Sequence, residues 1–117
     1  MSRILVVDDD TECRVALRAL LESWTHYVDE AADGGSALAI ARDHRPDIVL
    51  LDVGLPDVSG YDVAEEIRGT MKPAPYVVAL TGSEDDGVGG SCFDAYLVKP
   101  ADPDRLRELL GRAAAKR

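Results

Sequence analysis

Three unbroken apolar runs, residues 4–7 (ILVV), 48–51 (IVLL) and 77–80 (VVAL), constrain this chain more than any other feature. They are too short for helices and lack the polar alternation that would give a strand one wet face. Runs rich in Val, Ile and Leu suit strands buried on both faces, as a parallel sheet requires. Residues 27–31 (YVDEA) are more polar and suit an edge strand, and residues 95–98 (AYLV) supply a fifth.

Helical spacing fills the intervals. Cys13, Ala16, Leu17, Leu20 and Trp24 fall on one helical face, as do Val63, Ala64, Ile67 and Met71, and Leu106, Leu109, Leu110 and Ala113. Trp24 reads as packing at the end of the first helix. A weaker helix around residues 36–43 is bracketed by Gly34-Gly35 and Arg45-Pro46. The last helix opens on Asp102 as N-cap, Pro103 at the first helical position and Asp104 at the positive end of the dipole. Strand and helix alternating in this way predict right-handed crossovers and a parallel sheet with helices on both faces, an α/β fold. No repeat, linker or low-complexity segment interrupts residues 1–117, which read as a single domain with a polar Lys116-Arg117 end.

The net charge of −9 argues against nucleic acid or an anionic membrane surface as a direct partner and is compatible with binding a cation. No apolar run is long enough to span a bilayer, and the N-terminal run is too short for a signal-peptide core, so the cytoplasm is the expected compartment. Cys13 and Cys92 form no CxxC or zinc pattern and are expected to be small apolar residues of a reducing compartment.

In a sheet of this kind ligands gather at the carboxyl ends of the strands. Strand one runs into Asp8-Asp9-Asp10, strand three ends at Asp52, strand four at Thr81 and strand five at Lys99-Pro100. Carboxylates converging in one cleft ionise together only around a cation. A small set of oxygen ligands suits Mg²⁺, which binds through one or two carboxylates plus a phosphate. A carboxylate beside that ion can attack phosphorus and form an aspartyl phosphate, with a lysine and a hydroxyl to meet the phosphoryl oxygens. Asp10 has the simpler reading of N-cap to the first helix.

The ordered set DD, D-x-x-L-P, T-G and K-P resembles the receiver domains of two-component response regulators over essentially the full length of the chain. The resemblance implies a three-layer flavodoxin-like sandwich with a five-stranded parallel sheet in the order 2-1-3-4-5. It implies Asp52 as phosphoacceptor, and Asp8 and Asp9 as the acidic pair organising Mg²⁺ (or Mn²⁺), Asp9 as a direct ligand. Asp52 itself and the backbone carbonyl of Gly54 would complete the metal set. Thr81 would contact the phosphoryl group, Lys99 would pair with it, and Tyr96 would rearrange with Thr81 on activation. The base rate for an X-Pro bond favours trans at Lys99-Pro100; the resemblance implies cis. A sensor histidine kinase or histidine phosphotransfer protein would be the donor, and an output partner or fused domain would read the switch. The resemblance also implies that the positions two past the acceptor and two past the threonine, here Gly54 and Ser83, tune the lifetime of the phosphorylated form. Glycine at 54 leaves attacking water unobstructed but supplies no side chain to orient it. Gly82 stands where a small residue is expected.

Residues 83–92 (SEDDGVGGSC) are where a helix between strands four and five belongs. Against the pattern of the family it resembles, the segment is short by about one turn, and Gly87, Gly89 and Gly90 each cost roughly 1 kcal/mol against alanine in a helix. That helix is therefore expected to be shortened or irregular, which bears on docking at the face it shares with strand five. GVGG lacks the GxxxxGK[ST] context of a phosphate loop. Asp57 reads as a turn residue, and His26 and His44 as surface or loop residues that are neither ligands nor phosphorylation sites.

Two rival classes remain. A Mg²⁺-dependent phosphohydrolase of the haloacid dehalogenase type carries a second aspartate two residues past its nucleophile, where this chain has Gly54, and needs a cap that 117 residues scarcely allow. A receiver-like scaffold that works without phosphorylation usually loses the acceptor, the acidic pair or the lysine, and none is lost. The expected activity is therefore self-phosphorylation and slow dephosphorylation, not turnover of a substrate. The sequence is compatible with a stand-alone regulator or with the receiver part of a longer protein.

Overall fold

A computed structural model describes residues 2–82 and 93–116. Five strands, β1 (Arg3–Val7), β2 (Tyr27–Ala31), β3 (Ile48–Asp52), β4 (Tyr76–Thr81) and β5 (Ala95–Val98), form one sheet in the order β2-β1-β3-β4-β5, with every neighbouring pair parallel. Helices α1 (Thr11–Ser23), α2 (Gly34–His44), α3 (Gly60–Thr70) and α4 (Pro103–Lys116) complete the described elements. The helix anticipated over residues 83–92 lies outside the described residues, so the expectation of a shortened or irregular segment is not addressed there.

The sheet separates two cores. Ile4, Val6, Ile48, Leu50, Val78, Leu80 and Leu97 pack with Leu17 and Leu21 of α1 and Leu106 and Leu109 of α4. Leu5, Val7, Val49, Leu51, Val77 and Ala79 pack with Ala37 and Ala41 of α2 and Val63, Ala64 and Ile67 of α3. Successive side chains of a strand point to opposite faces, so strands with both faces covered must be apolar at every position. This is the origin of the unbroken runs.

Helix starts are set by side chains that accept orphan N–H groups. Asp10 caps α1 through Glu12 and Cys13, Asp33 caps α2 through Ser36, Ser59 caps α3 through Tyr61, and Asp102 accepts from Asp104 at the head of α4. α2 begins two residues earlier than residue 36, because Asp33 rather than the glycine pair makes the boundary. It ends at Arg45 in the left-handed region (φ 48°), ahead of Pro46.

The stripe read for α1 needs one correction. Ala16 is exposed and Leu21 is fully buried. The inward face runs Cys13, Leu17, Leu20, Leu21 and Trp24, an i, i+4, i+7, i+8, i+11 series that a 3.6-residue period accommodates as well as the spacing first read. Leu21→Ala should therefore cost about 2–5 kcal/mol in denaturant unfolding, while Ala16→Gln should stay within about 0.5 kcal/mol of the parent. Equal losses would contradict this placement of the helix.

Candidate functional site

The parity of the strands builds the site. Val6, Leu50 and Leu97 all face the α1/α4 side. Asp8, Asp52 and Lys99 each lie two residues further along the same chains, so the same alternation turns them to that side where the strands run out. The register pairing Val7 with Leu51 sets Asp8 beside Asp52.

The result is a tight charged cluster. Carboxylate oxygens of Asp8, Asp9 and Asp52 lie within 4.8 Å of one another. Asp8 is 0% exposed and Asp52 is buried, whereas Asp9 faces solvent. Lys99 Nζ lies 2.8 Å from Asp8 Oδ2 and 3.1 Å from Asp52 Oδ2, bridging both acids. The Lys99–Pro100 peptide bond is cis, as is Lys72–Pro73. Asp8 Oδ1 accepts the Asp10 N–H at 2.9 Å, and Asp52 Oδ1 accepts the Gly54 N–H at 2.9 Å.

Burial is the largest influence on each group, and the neighbours decide the outcome. Burial opposes the Asp8 charge, but Lys99, the Asp10 N–H and the Cys13 thiol hold its carboxyl below the usual range. At Asp52 burial prevails over the Gly54 N–H and Lys99, and with Asp8 adding repulsion its carboxyl is raised. Burial disfavours the Lys99 ammonium, yet Asp8 and Asp52 outweigh it and raise its affinity for the proton. Two acids thus share one cation, and one of them is left short of positive charge.

A metal ion fits that shortage. Asp8 Oδ2 is buried and, although close to Lys99, receives no well-directed hydrogen bond. Three clustered carboxylates, two of them sharing one lysine, form an oxygen-donor set of the kind that Mg²⁺ or Mn²⁺ takes. Burial and the neighbouring Asp8 carboxylate push the Cys13 thiol up to about 11, and Cys13 does not join the group of clustered oxygens.

The remaining positions flank this cluster. Thr81 ends β4 and is buried, and its carbonyl accepts the Lys99 N–H at 2.7 Å. Tyr96, two residues ahead of Val98 on the β5 edge, is 47% exposed and therefore not a core residue. Gly54 lies in the exposed β3–α3 loop, where a Cβ would sit 3.7 Å from Asp52 Oδ1. That is ordinary van der Waals contact, so a longer side chain there would reach the acceptor. Ser83, Cys92 and the GVGG stretch lie outside the described residues. His26 accepts the Ser2 N–H, and His44 pairs with Asp29 at 2.9 Å; neither joins the acidic cluster.

Three supports escaped the sequence reading. Arg14 donates to the Asp8 carbonyl at 2.7 Å and to Glu30 at 3.0 Å, tying the acidic turn to the edge strand. Arg18, followed by Arg14, keeps the Glu30 carboxyl below its ordinary range. Gly60 is required by close approach: a Cβ there would meet the Asp52 carbonyl oxygen at 2.5 Å and Val53 Cα at 2.6 Å. Asp57 accepts N–H groups from the head of α2, from Gly34 at 2.9 Å and Gly35 at 3.1 Å. Gly60, a lone glycine eight residues past Asp52, offers the one local signal; the partners of Arg14 and Asp57 are distant in sequence.

An open parallel sheet in this order, with two acids and a lysine gathered at the carboxyl ends of β1, β3 and β5, defines a doubly wound α/β domain whose site lies where such sheets bind ligands. The sequence profile of the response regulator receiver domain matches residues 4–111, and the chain belongs to that family. It is similar to PilH of Pseudomonas aeruginosa, 33% identical over 98% of this chain and 99% of that protein. It is also similar to the transcriptional regulatory protein KdpE of Mycobacterium tuberculosis, 39% identical over 100% of this chain and 52% of that one. The chain thus spans nearly all of PilH but about half the length of KdpE. Among solved structures, the response regulator TrrA of Thermotoga maritima in complex with Mg²⁺-BeF matches with a TM-score of 0.87 at 33% identity, covering 97% of this chain and 99% of that one. The chemotaxis regulator CheY4 of Vibrio cholerae matches with a TM-score of 0.87 at 30% identity, covering 97% and 98%. The chain is a phosphoacceptor receiver of two-component signalling, with the flavodoxin-like fold. Among the described residues, no helix is long and apolar enough to cross a membrane.

The shared lysine gives a direct check. In Lys99→Met, burial and mutual repulsion act on Asp8 without the ammonium. Its carboxyl should then titrate above the ordinary aspartate value of about 3.9 in metal-free carbon-13 NMR. An Asp8 that still titrates below that value would contradict the pairing.

Proposed function

We propose that this chain takes a phosphoryl group onto Asp52 from a phosphohistidine on a sensor histidine kinase or histidine phosphotransfer protein. Residues 1–117 act as one receiver unit, and the phosphorylated form shifts a conformational equilibrium that an output partner or fused domain reads. The observation that carries this reading is the bridge of Lys99 across two buried acids that, with Asp9, present oxygens within 4.8 Å of one another.

The residues divide the work. Asp8, Asp9 and Asp52, with the Gly54 carbonyl, would hold Mg²⁺ or Mn²⁺. When bound, that ion offsets the repulsion among the acids and neutralises phosphoryl oxygens. The Gly54 N–H fixes one Asp52 oxygen and so orients the carboxylate. An Asp52 oxygen forms the new P–O bond as the donor P–N bond breaks, and the imidazole nitrogen keeps the electron pair. Lys99, already within 3.1 Å of Asp52, then follows the charge onto the phosphoryl group. The Thr81 hydroxyl meets a phosphoryl oxygen from the end of β4, and the exposed Tyr96 ring has room to move in response. The small Gly54 leaves water access to the acyl phosphate while orienting none; the activity consists of the protein's own phosphorylation and slow dephosphorylation. We place this chemistry in the cytoplasm, where phosphohistidine donors are charged from ATP, without direct contact with nucleic acid or membrane.

The test is intact-protein mass after incubation with phosphoramidate and Mg²⁺. The parent protein should gain one phosphoryl group, and Asp52→Asn and a chelator-treated sample should gain none. Modification that persists in Asp52→Asn would move the acceptor elsewhere.

A further inference from the structure

We propose that Asp57 is a positioning residue for phosphoryl transfer, tethering the loop that carries Gly54 to the N-terminus of α2. The inference rests on the reading of Asp52 and its neighbours as the phosphoryl and metal site. Asp57 touches none of those atoms and acts through the loop.

The loop between β3 and α3 is closed at its base and fastened at its tip. At the base, the Gly60 N–H returns to the Val53 carbonyl at 3.2 Å, and the missing Cβ of Gly60 lets α3 press on the backbone of Asp52 and Val53. At the tip, the Asp57 carboxylate accepts two N–H groups from α2, one oxygen to Gly34 and the other to Gly35. These are orphan donors at the positive end of a helix, where a carboxylate is favoured.

A second, independent feature makes the same contact. A Cβ at Gly34 would lie 2.3 Å from Val58 Cγ2 and 3.0 Å from Val63 Cγ2. Glycine therefore lets the loop seat directly on the helix. α2 has its own cap, since Asp33 accepts the Ser36 N–H, so Asp57 serves the loop as much as the helix. Between base and tip lies Gly54, whose N–H sets one oxygen of Asp52 and whose carbonyl is the proposed metal ligand. With the tip released, Gly54 is held from one side only.

The paired variants Asp57→Ala and Asp33→Ala separate positioning from stability, because both remove acceptors from the same helix end and only the first frees the loop. Each is followed by thermal melting, calorimetric titration with Mg²⁺ alone, phosphorylation rate with phosphoramidate at saturating Mg²⁺, and hydrogen exchange of the Gly54 amide. Asp57→Ala should weaken Mg²⁺ binding and slow phosphorylation by about tenfold each, the scale typical of groups one layer behind a metal site, and the Gly54 amide should exchange faster. Asp57→Asn, which keeps one acceptor, should fall between. Asp33→Ala should melt earlier yet hold affinity and rate within about twofold of the parent. Asp57→Ala at parental affinity, rate and exchange would overturn the inference, as would losses in both variants that simply track melting. A parent protein inert to both Mg²⁺ and phosphoramidate would instead sink the reading of Asp52, and the exchange measurement alone would then decide the tether.

Discussion

One ammonium held between two buried carboxylates organises this molecule. Asp8 has no exposure to water, and an isolated charge in that position would be neutralised or expelled. Lys99 compensates it, and in doing so also reaches Asp52, which gains too little positive charge to offset its own burial. The cluster is left with more acid than base. A divalent ion would answer that excess of acid, and Lys99, already shared by Asp8 and Asp52, is placed to meet a further anion delivered to Asp52.

The scaffold produces that cluster by simple geometry. Strands one, three and five carry their last inward residues in phase, so a carboxylate, a carboxylate and a lysine emerge on the same side of the sheet. What the strands cannot do is fix the turns that follow. That falls to contacts from outside the sheet: Arg14 braced by Glu30 on the Asp8 carbonyl, Gly60 packed against the Asp52 backbone, and Asp57 on the head of α2. Each joins a functional turn to a different helix or strand, so the site is held by three elements of the fold at once.

The layering and the cluster were legible in the sequence because period-two burial and strand-end charge are local signals. Residues 4–7, 48–51 and 77–80 suit doubly covered strands, and Asp8 and Asp52 stand immediately beyond two of these runs as Lys99 stands beyond residues 95–98. The strand order 2-1-3-4-5 came only with the family resemblance, since pairing between strands leaves no mark in an apolar run. Ala16 and Leu21 sit on neighbouring stripes that spacing alone does not separate in a short helix; the core that holds Ile4 and Val28 takes Leu21 and leaves Ala16 outside. Asp57 reads as a turn residue and lies in a bend of the loop between β3 and α3. Its second role depends on α2, some twenty residues earlier, and no spacing rule links the two.

The central claim is that Asp8, Asp9 and Asp52 act as one cation seat, and Mn²⁺ titration followed by electron paramagnetic resonance tests it most directly. One Mn²⁺ per chain should bind, be displaced by Mg²⁺, and be lost in both Asp9→Asn and Asp52→Asn. Undiminished binding in those variants, or Mn²⁺ that Mg²⁺ fails to displace, would contradict it.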